Sequence, residues 1–119
     1  MYSYRDLKLY SVSMDLVVEI YKLTATFPKQ ETYSLVTQMR RCAISLPSNI
    51  AEGSGRKTTK EFIQFLYIAN GSLSELETQI ELSKRLDYIR EDCYLIDKIK
   101  HIRSMLIALI HKLEGSNPS

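Results

Sequence analysis

Apolar residues recur every three or four positions through four successive stretches of the chain, and no stretch alternates with the two-residue period of a half-buried strand. That pattern restricts the chain to amphipathic helices. The first stripe takes in Leu7, Tyr10, Met14, Val17, Val18 and Tyr21, behind a start signal at Ser3 and Asp6, and stops near Phe27-Pro28. The second begins near Thr32 and continues through Leu35, Met39, Cys42, Leu46, Ile50 and Gly53. Pro47 lies inside it, where the missing N–H and the ring predict a kink or break between Ala43 and Leu46. Gly53-Ser54-Gly55 closes this segment, and Thr58 with Glu61 forms a Thr-x-x-Glu capping box that opens the next. Phe62, Phe65, Leu66, Ala69, Leu73, Leu76 and Ile80 carry the third helix to Leu86, where Asp87-Tyr88 breaks the pattern. Leu95, Ile99, Ile102, Leu106, Leu109 and Leu113 build the fourth, which Gly115 ends.

The predicted helices span 5–26, 32–53, 59–86 and 91–113, followed by a flexible tail at 115–119. Their short connections favour antiparallel neighbours, so the expected fold is all-α: an antiparallel up-down-up-down four-helix bundle with a proline-kinked second helix. With 119 residues, 45% apolar and 25% charged, the chain is expected to form one domain over 1–119. No repeat of solenoid length is present.

Sixteen Lys and Arg face fourteen Asp and Glu, a formal charge of +2, so any basic site must be local. Cys42 and Cys93 have no companions at metal-binding spacing and read as free thiols. No secretion signal is visible at the N-terminus, and a cytoplasmic location is expected. The longest apolar runs, such as Met105 to Ile110, are too short to span a bilayer, so no membrane contact is expected.

Catalytic chemistry finds little purchase. A di-iron bundle needs Glu-x-x-His motifs, and this chain has only the reversed His111-x-x-Glu114 and a lone Asp97/His101 pair. Cys42 sits on a core stripe with no charge placed to activate it. Gly53-x-Gly55-Arg56-Lys57 lacks the length, the terminal Lys-Ser/Thr and the preceding strand of a P-loop. The chain is therefore expected not to be an enzyme, with no catalytic, cofactor-binding or metal-binding residues and no cofactor.

Surface residues suggest three other roles. Ile63, Tyr67, Met105 and Ile107 add apolar circumference beyond one core-facing stripe and are candidates for an oligomer interface. Gln38, Arg41, Asn49 and Glu52 flank the stripe of the second helix, and Glu75 and Gln79 flank that of the third. They form an expected interhelical polar network in which Arg41 or Arg56 would meet Glu75 or Glu61. Arg40, Arg56, Lys57 and Lys60 are candidates for a basic patch that attracts phosphate.

Four motifs carry a family resemblance: Phe27-Pro28-x-x-Glu31-x-Tyr33-x-Leu35; Gln38-x-Arg40-Arg41-x-Ala43; Ser48-Asn49-Ile50-Ala51-Glu52-Gly53; and Phe65-Leu66-x-Ile68-Ala69-x-Gly71-Ser72-x-x-Glu75-Leu76-x-x-Gln79. Across nearly its whole length the chain resembles the bacterial four-helix-bundle family encoded in intervening sequences of large-subunit ribosomal RNA genes. It is also similar to the accessory variability proteins of diversity-generating retroelements. The resemblance implies a homopentameric, barrel-like assembly, and the retroelement relatives imply RNA or DNA and a reverse transcriptase or other protein as partners. This chain departs from those relatives in its near-neutral charge. The expected function is that of a non-catalytic oligomeric binding or scaffold protein, contacting RNA or DNA backbone through the local basic patch. The alternative is a purely structural protein–protein interaction module without nucleic-acid binding.

Overall fold

The computed structural model describes Tyr4 and residues 7–115. Four helices, α1 (Lys8–Thr24), α2 (Leu35–Ser54), α3 (Thr59–Arg85) and α4 (Leu95–Gly115), pack into a body of 50 × 24 × 21 Å. No strand occurs among the described residues.

Local chemistry sets the helix ends. The expected start at Ser3 and Asp6 lies outside the described residues, and α1 is entered from Leu7 in extended conformation without a side-chain cap. At its other end the Thr24 hydroxyl donates to Ile20 O at 2.7 Å, and Pro28 then prevents helical continuation. Lys29–Glu31 forms a 3₁₀ turn, and residues 32–34 remain in a turn where Thr37 Oγ1 donates to Thr32 O at 2.7 Å. For that reason α2 begins at Leu35 and not at 32. Thr58 caps α3 by accepting from Glu61 N at 3.1 Å.

The end of α3 is a Schellman turn: Tyr88 N donates to Ser83 O at 2.9 Å and Asp87 N to Lys84 O at 3.0 Å. Asp87 occupies the left-handed position, with φ of 61°, where glycine is the usual residue. The chain then needs residues 86–94 to turn back, so α4 starts at Leu95, four residues later than the sequence pattern suggests. It continues through Gly115, and the rest of the expected tail lies outside the described residues.

Pro47 is buried inside α2, which runs unbroken from Leu35 to Ser54. The expected break at 43–46 is absent. Ala43 and Leu46 are fully buried, so packing on the neighbouring helices holds this turn despite the lost backbone donor.

The core is one cluster centred on Leu16 and Ile20 of α1, Met39, Leu46 and Ile50 of α2, Leu66, Leu73, Leu76 and Ile80 of α3, and Ile99, Ile102 and Leu106 of α4. In α4 the inward position is Ile110, with Leu109 only partly buried. In α1 the expected stripe is rotated. Leu9, Ser13, Leu16, Ile20 and Thr24 face the core, whereas Met14, Val18 and Tyr21 remain 43%, 51% and 40% exposed. Two polar residues interrupt the true inward stripe, and the more continuous apolar stripe lies outside it.

Along the α2–α3 contact, Gly53 faces Phe65, Ser45 bonds Ser72, and Ser83 reaches Met39. Positions on one helix recede as those on the other advance, so the pair is antiparallel. The same order holds for α1 and α2, where Arg40 meets Tyr21 and Thr24 while Ala51 lies beside Tyr10 and Met14. A Cβ at Gly53 would fall 2.6 Å from Phe65 Cβ and 3.0 Å from Phe62 Cδ1. Only glycine allows α2 and α3 this approach. Gly53→Ala is therefore expected to lower unfolding free energy by about 1–3 kcal/mol through overpacking, while Gly55→Ala, whose Cβ would meet only Glu52 O at 3.7 Å, serves as the near-neutral control. Denaturant titration checks this; equal stability of the two variants would contradict the tight contact.

Candidate assembly and polyanion-binding surfaces

The four basic candidates do not form one patch. Arg40 and Arg56 sit near opposite ends of the 20-residue α2, about 24 Å apart at 1.5 Å of rise per residue. Arg40 is turned into the molecule: its guanidinium lies 4.4 Å from the Tyr21 ring centroid, Nε donates to Thr24 Oγ1 at 2.9 Å, and Nη2 donates to Tyr21 O at 3.2 Å. This places a cation on the exposed carbonyls at the C-terminal end of α1, the favourable pole of the helix dipole. Arg40 ties α1 to α2 and is not free for phosphate.

Arg56 stands at the α2–α3 corner, 4.7 Å above the Phe65 ring and 2.9 Å from Glu52 Oε1. Lys57 and Lys60, also at that corner, are exposed and have no partner among the described residues. The basic surface is reduced to these two lysines beside a partly neutralised arginine.

The expected polar network takes a smaller form. Ser45 and Ser72 hydroxyls meet at 2.8 Å across α2 and α3, Asn49 Nδ2 donates to Ser45 O at 2.8 Å and to Ser45 Oγ at 2.9 Å, and Cys42 Sγ donates to Ser72 O at 3.3 Å. Burial pushes the Cys42 thiol up to about 12, and the adjacent Glu75 carboxylate acts in the same direction. A thiol so held is protonated at neutral pH and is a poor nucleophile. Glu52 turns to Arg56, while Gln38 and Arg41 are exposed without hydrogen bonds or ion pairs among the described residues. Glu75 is exposed, and Gln79 is buried with Oε1 lacking a donor. Neither Arg41 nor Arg56 pairs with Glu75 or Glu61 within the chain. Short hydroxyl groups bridge the seam where longer ion pairs were expected.

Of the interface candidates, Ile63, Met105 and Ile107 are partly buried against the core. Only Tyr67 is open, at 51% exposure, beside Ile68 at 53%. A further apolar surface comes from the misread face of α1: Tyr10, Met14 and Val17 line a shallow groove of about 330 Å³ with Ile44, Pro47 and Ala51 of α2. Among the described residues no three His, Cys, Asp or Glu side chains converge on a metal position, and no helix is long and apolar enough to cross a membrane.

Three long-range polar ties have no local sequence signature. Glu31 accepts from the Tyr88 hydroxyl at 2.7 Å and from Ser34 at 2.7 Å, and Phe27 packs on the Tyr88 ring at 5.3 Å between centroids. The Phe27-Pro28-x-x-Glu31 motif thus clamps the α3–α4 connection. Glu77 of α3 pairs with Arg103 of α4 at 2.8 Å. Glu19 of α1 pairs with Lys98 of α4 at 2.7 Å and accepts from the Tyr94 hydroxyl.

The family model for 23S rRNA-intervening sequence proteins matches residues 5–108. The chain belongs to that family. A crystal structure of a protein of unknown function from the S23 ribosomal protein family of Bacteroides thetaiotaomicron VPI-5482 is 27% identical; the match covers 86% of this chain and 97% of that one with a TM-score of 0.76. None of the curated proteins matches the chain. In this chain Glu31, Arg40 and Gly53 serve as a loop clamp, a helix tie and a close helix contact.

Burial alone would raise the Glu19 carboxyl, but hydrogen bonds from Lys98 and Tyr94 and the charges of Lys98 and Lys22 outweigh it and hold it below the ordinary 4.5. A lowered folded-state value means stability that is present above 4.5 and lost as pH falls through the folded value. Glu19→Gln is expected to be less stable at neutral pH and to lose less further stability on acidification than the parent. Thermal unfolding across pH measures the difference; parallel acid profiles would contradict the role of Glu19.

Proposed function

We propose that this family member is a non-catalytic scaffold that works as a homo-oligomer, with five copies implied by the family likeness. The observation that carries the reading is the exposure of apolar side chains on two separate faces. Met14, Val18 and Ile44 are 43%, 51% and 43% exposed along α1 and α2, and Tyr67 and Ile68 are 51% and 53% exposed on α3. Contiguous apolar surface of this kind on a small domain is characteristic of protein contacts. Light scattering coupled to chromatography is expected to return a defined multiple of the 13.8 kDa chain mass, five-fold if the family likeness extends to stoichiometry. A strictly monomeric mass at micromolar concentration would sink the scaffold reading.

A second activity is supported by the α2–α3 corner, where Lys57 and Lys60 are exposed and unpaired among the described residues. Repeated around an oligomer, the corner supplies weak contacts to RNA or DNA backbone that add through multivalency. Unrelated single strands are expected to bind at about 50 mM salt and to lose most of that affinity by about 200 mM, with a shallower salt slope in Lys57→Ala/Lys60→Ala. Absence of low-salt binding by the assembled protein would leave the purely structural scaffold as the function.

A further inference from the structure

The α3 helix carries a glycine that nothing among the described residues explains. Gly53 is needed because Phe65 leaves no room for a Cβ, but a Cβ added at Gly71 would meet nothing within 4 Å. Gly71 also has no positive φ to demand glycine. In the interior of a 27-residue helix it costs stability, about 1 kcal/mol relative to alanine. A depression on the outward face of a helix permits close approach by another surface.

The residues around Gly71 fit that approach. Tyr67 and Ile68 lie about one turn before it and Glu75 one turn after it, all exposed on the same outward face of α3. A second open apolar surface is the groove between α1 and α2, floored by Val17 and Pro47 and edged by Met14 and Ile44. Arg41 stands one turn from Ile44 on α2, exposed and without a partner among the described residues. The ridge is thus flanked by a carboxylate and the groove by a guanidinium.

We propose that the α3 ridge of one copy docks in the α1–α2 groove of a second copy. Tyr67 and Ile68 enter against Met14 and Ile44, Gly71 allows the approach, and Glu75 of the first copy meets Arg41 of the second. The occupant is another copy of this chain because the chain itself supplies both the apolar counterpart and the opposite charge. The contact joins two different faces, so it is head-to-tail and each copy keeps one ridge and one groove for further neighbours. The proposal rests on the scaffold reading and adds to it the surfaces and the specifying ion pair.

The test compares the full-length parent with Arg41→Glu, Glu75→Arg and Gly71→Leu by light scattering at graded concentration. Each site is exposed, so all three variants are expected to fold, which circular dichroism and thermal unfolding verify. Each charge reversal sets like charges across the contact and is expected to raise the apparent dissociation constant about tenfold or more. Co-expressing Arg41→Glu chains with Glu75→Arg chains restores opposite charge wherever unlike chains meet, at up to about four of five contacts in a closed ring of five, and is expected to recover assembly in large part, whereas an ion pair within one chain would stay broken. Gly71→Leu is expected to dissociate the assembly while keeping or raising the unfolding temperature of the dissociated chain, compared with the parent at a concentration where both are monomeric. A monomeric parent would overturn the scaffold reading itself. An assembled parent whose Gly71→Leu variant remains assembled, or whose charge variants are not rescued by one another, would overturn the ridge-in-groove contact and leave the scaffold reading standing.

Discussion

The close approach of α2 and α3 at Gly53 is the constraint from which the rest of the bundle follows. With Phe65 Cβ only 2.6 Å from where a Cβ would stand, the two helices meet backbone to side chain at the corner. The antiparallel register then brings Ser45 to Ser72 and Met39 to Ser83. That register determines what each outward face displays. It turns Arg41 and Glu75 to solvent on either side of the seam and leaves Gly71 exposed in the middle of α3. The same packing keeps α2 continuous through Pro47, because the turn that lacks a backbone hydrogen bond is buried against its neighbours.

Much of this was legible in the sequence because three helices are apolar on one dominant face. Most inward residues of α2, α3 and α4 follow the expected spacing, but Val36 is buried in place of Leu35, Phe65 stays half-buried and Ile110 takes the place of Leu109. The α1 helix defeated the same reading for a physical reason. Periodicity gives the spacing of a stripe but not which of two stripes faces the core, and in α1 the buried one contains Ser13 and Thr24. The outer stripe, Met14, Val18 and Tyr21, is richer in apolar residues and looks more like a core. The resulting error concealed the α1–α2 groove. Helix boundaries failed where turns are stabilised by distant groups, as at Glu31 and Tyr88, whose hydrogen bond joins two connections far apart in the chain.

The candidate site residues were legible as types and not as roles. Arg40 reads as a surface cation, yet stacking on Tyr21 and bonding to Thr24 make it a tie between helices. Arg56 reads the same way and is partly spent on Glu52 and Phe65. The polar shoulder of α2 was visible at Gln38, Arg41, Asn49 and Glu52, but only Asn49 joins the Ser45–Ser72 bridge. Among the described residues the free surface includes the lysine pair at the α2–α3 corner, the apolar ridge of α3 and the apolar groove between α1 and α2. The Cys42 thiol, buried and held near 12, is protonated at neutral pH and a poor nucleophile.

In the proposed assembly the outward face of α3 is covered by a second copy. Hydroxyl-radical footprinting of the protein at assembling concentration and after dilution tests it directly, with Tyr33, 95% exposed in a turn, as an internal standard. The account predicts that Tyr67 and Ile68 are protected at high concentration and modified on dilution while Tyr33 reacts equally in both. Equal modification of Tyr67, Ile68 and Tyr33 at both concentrations would contradict it.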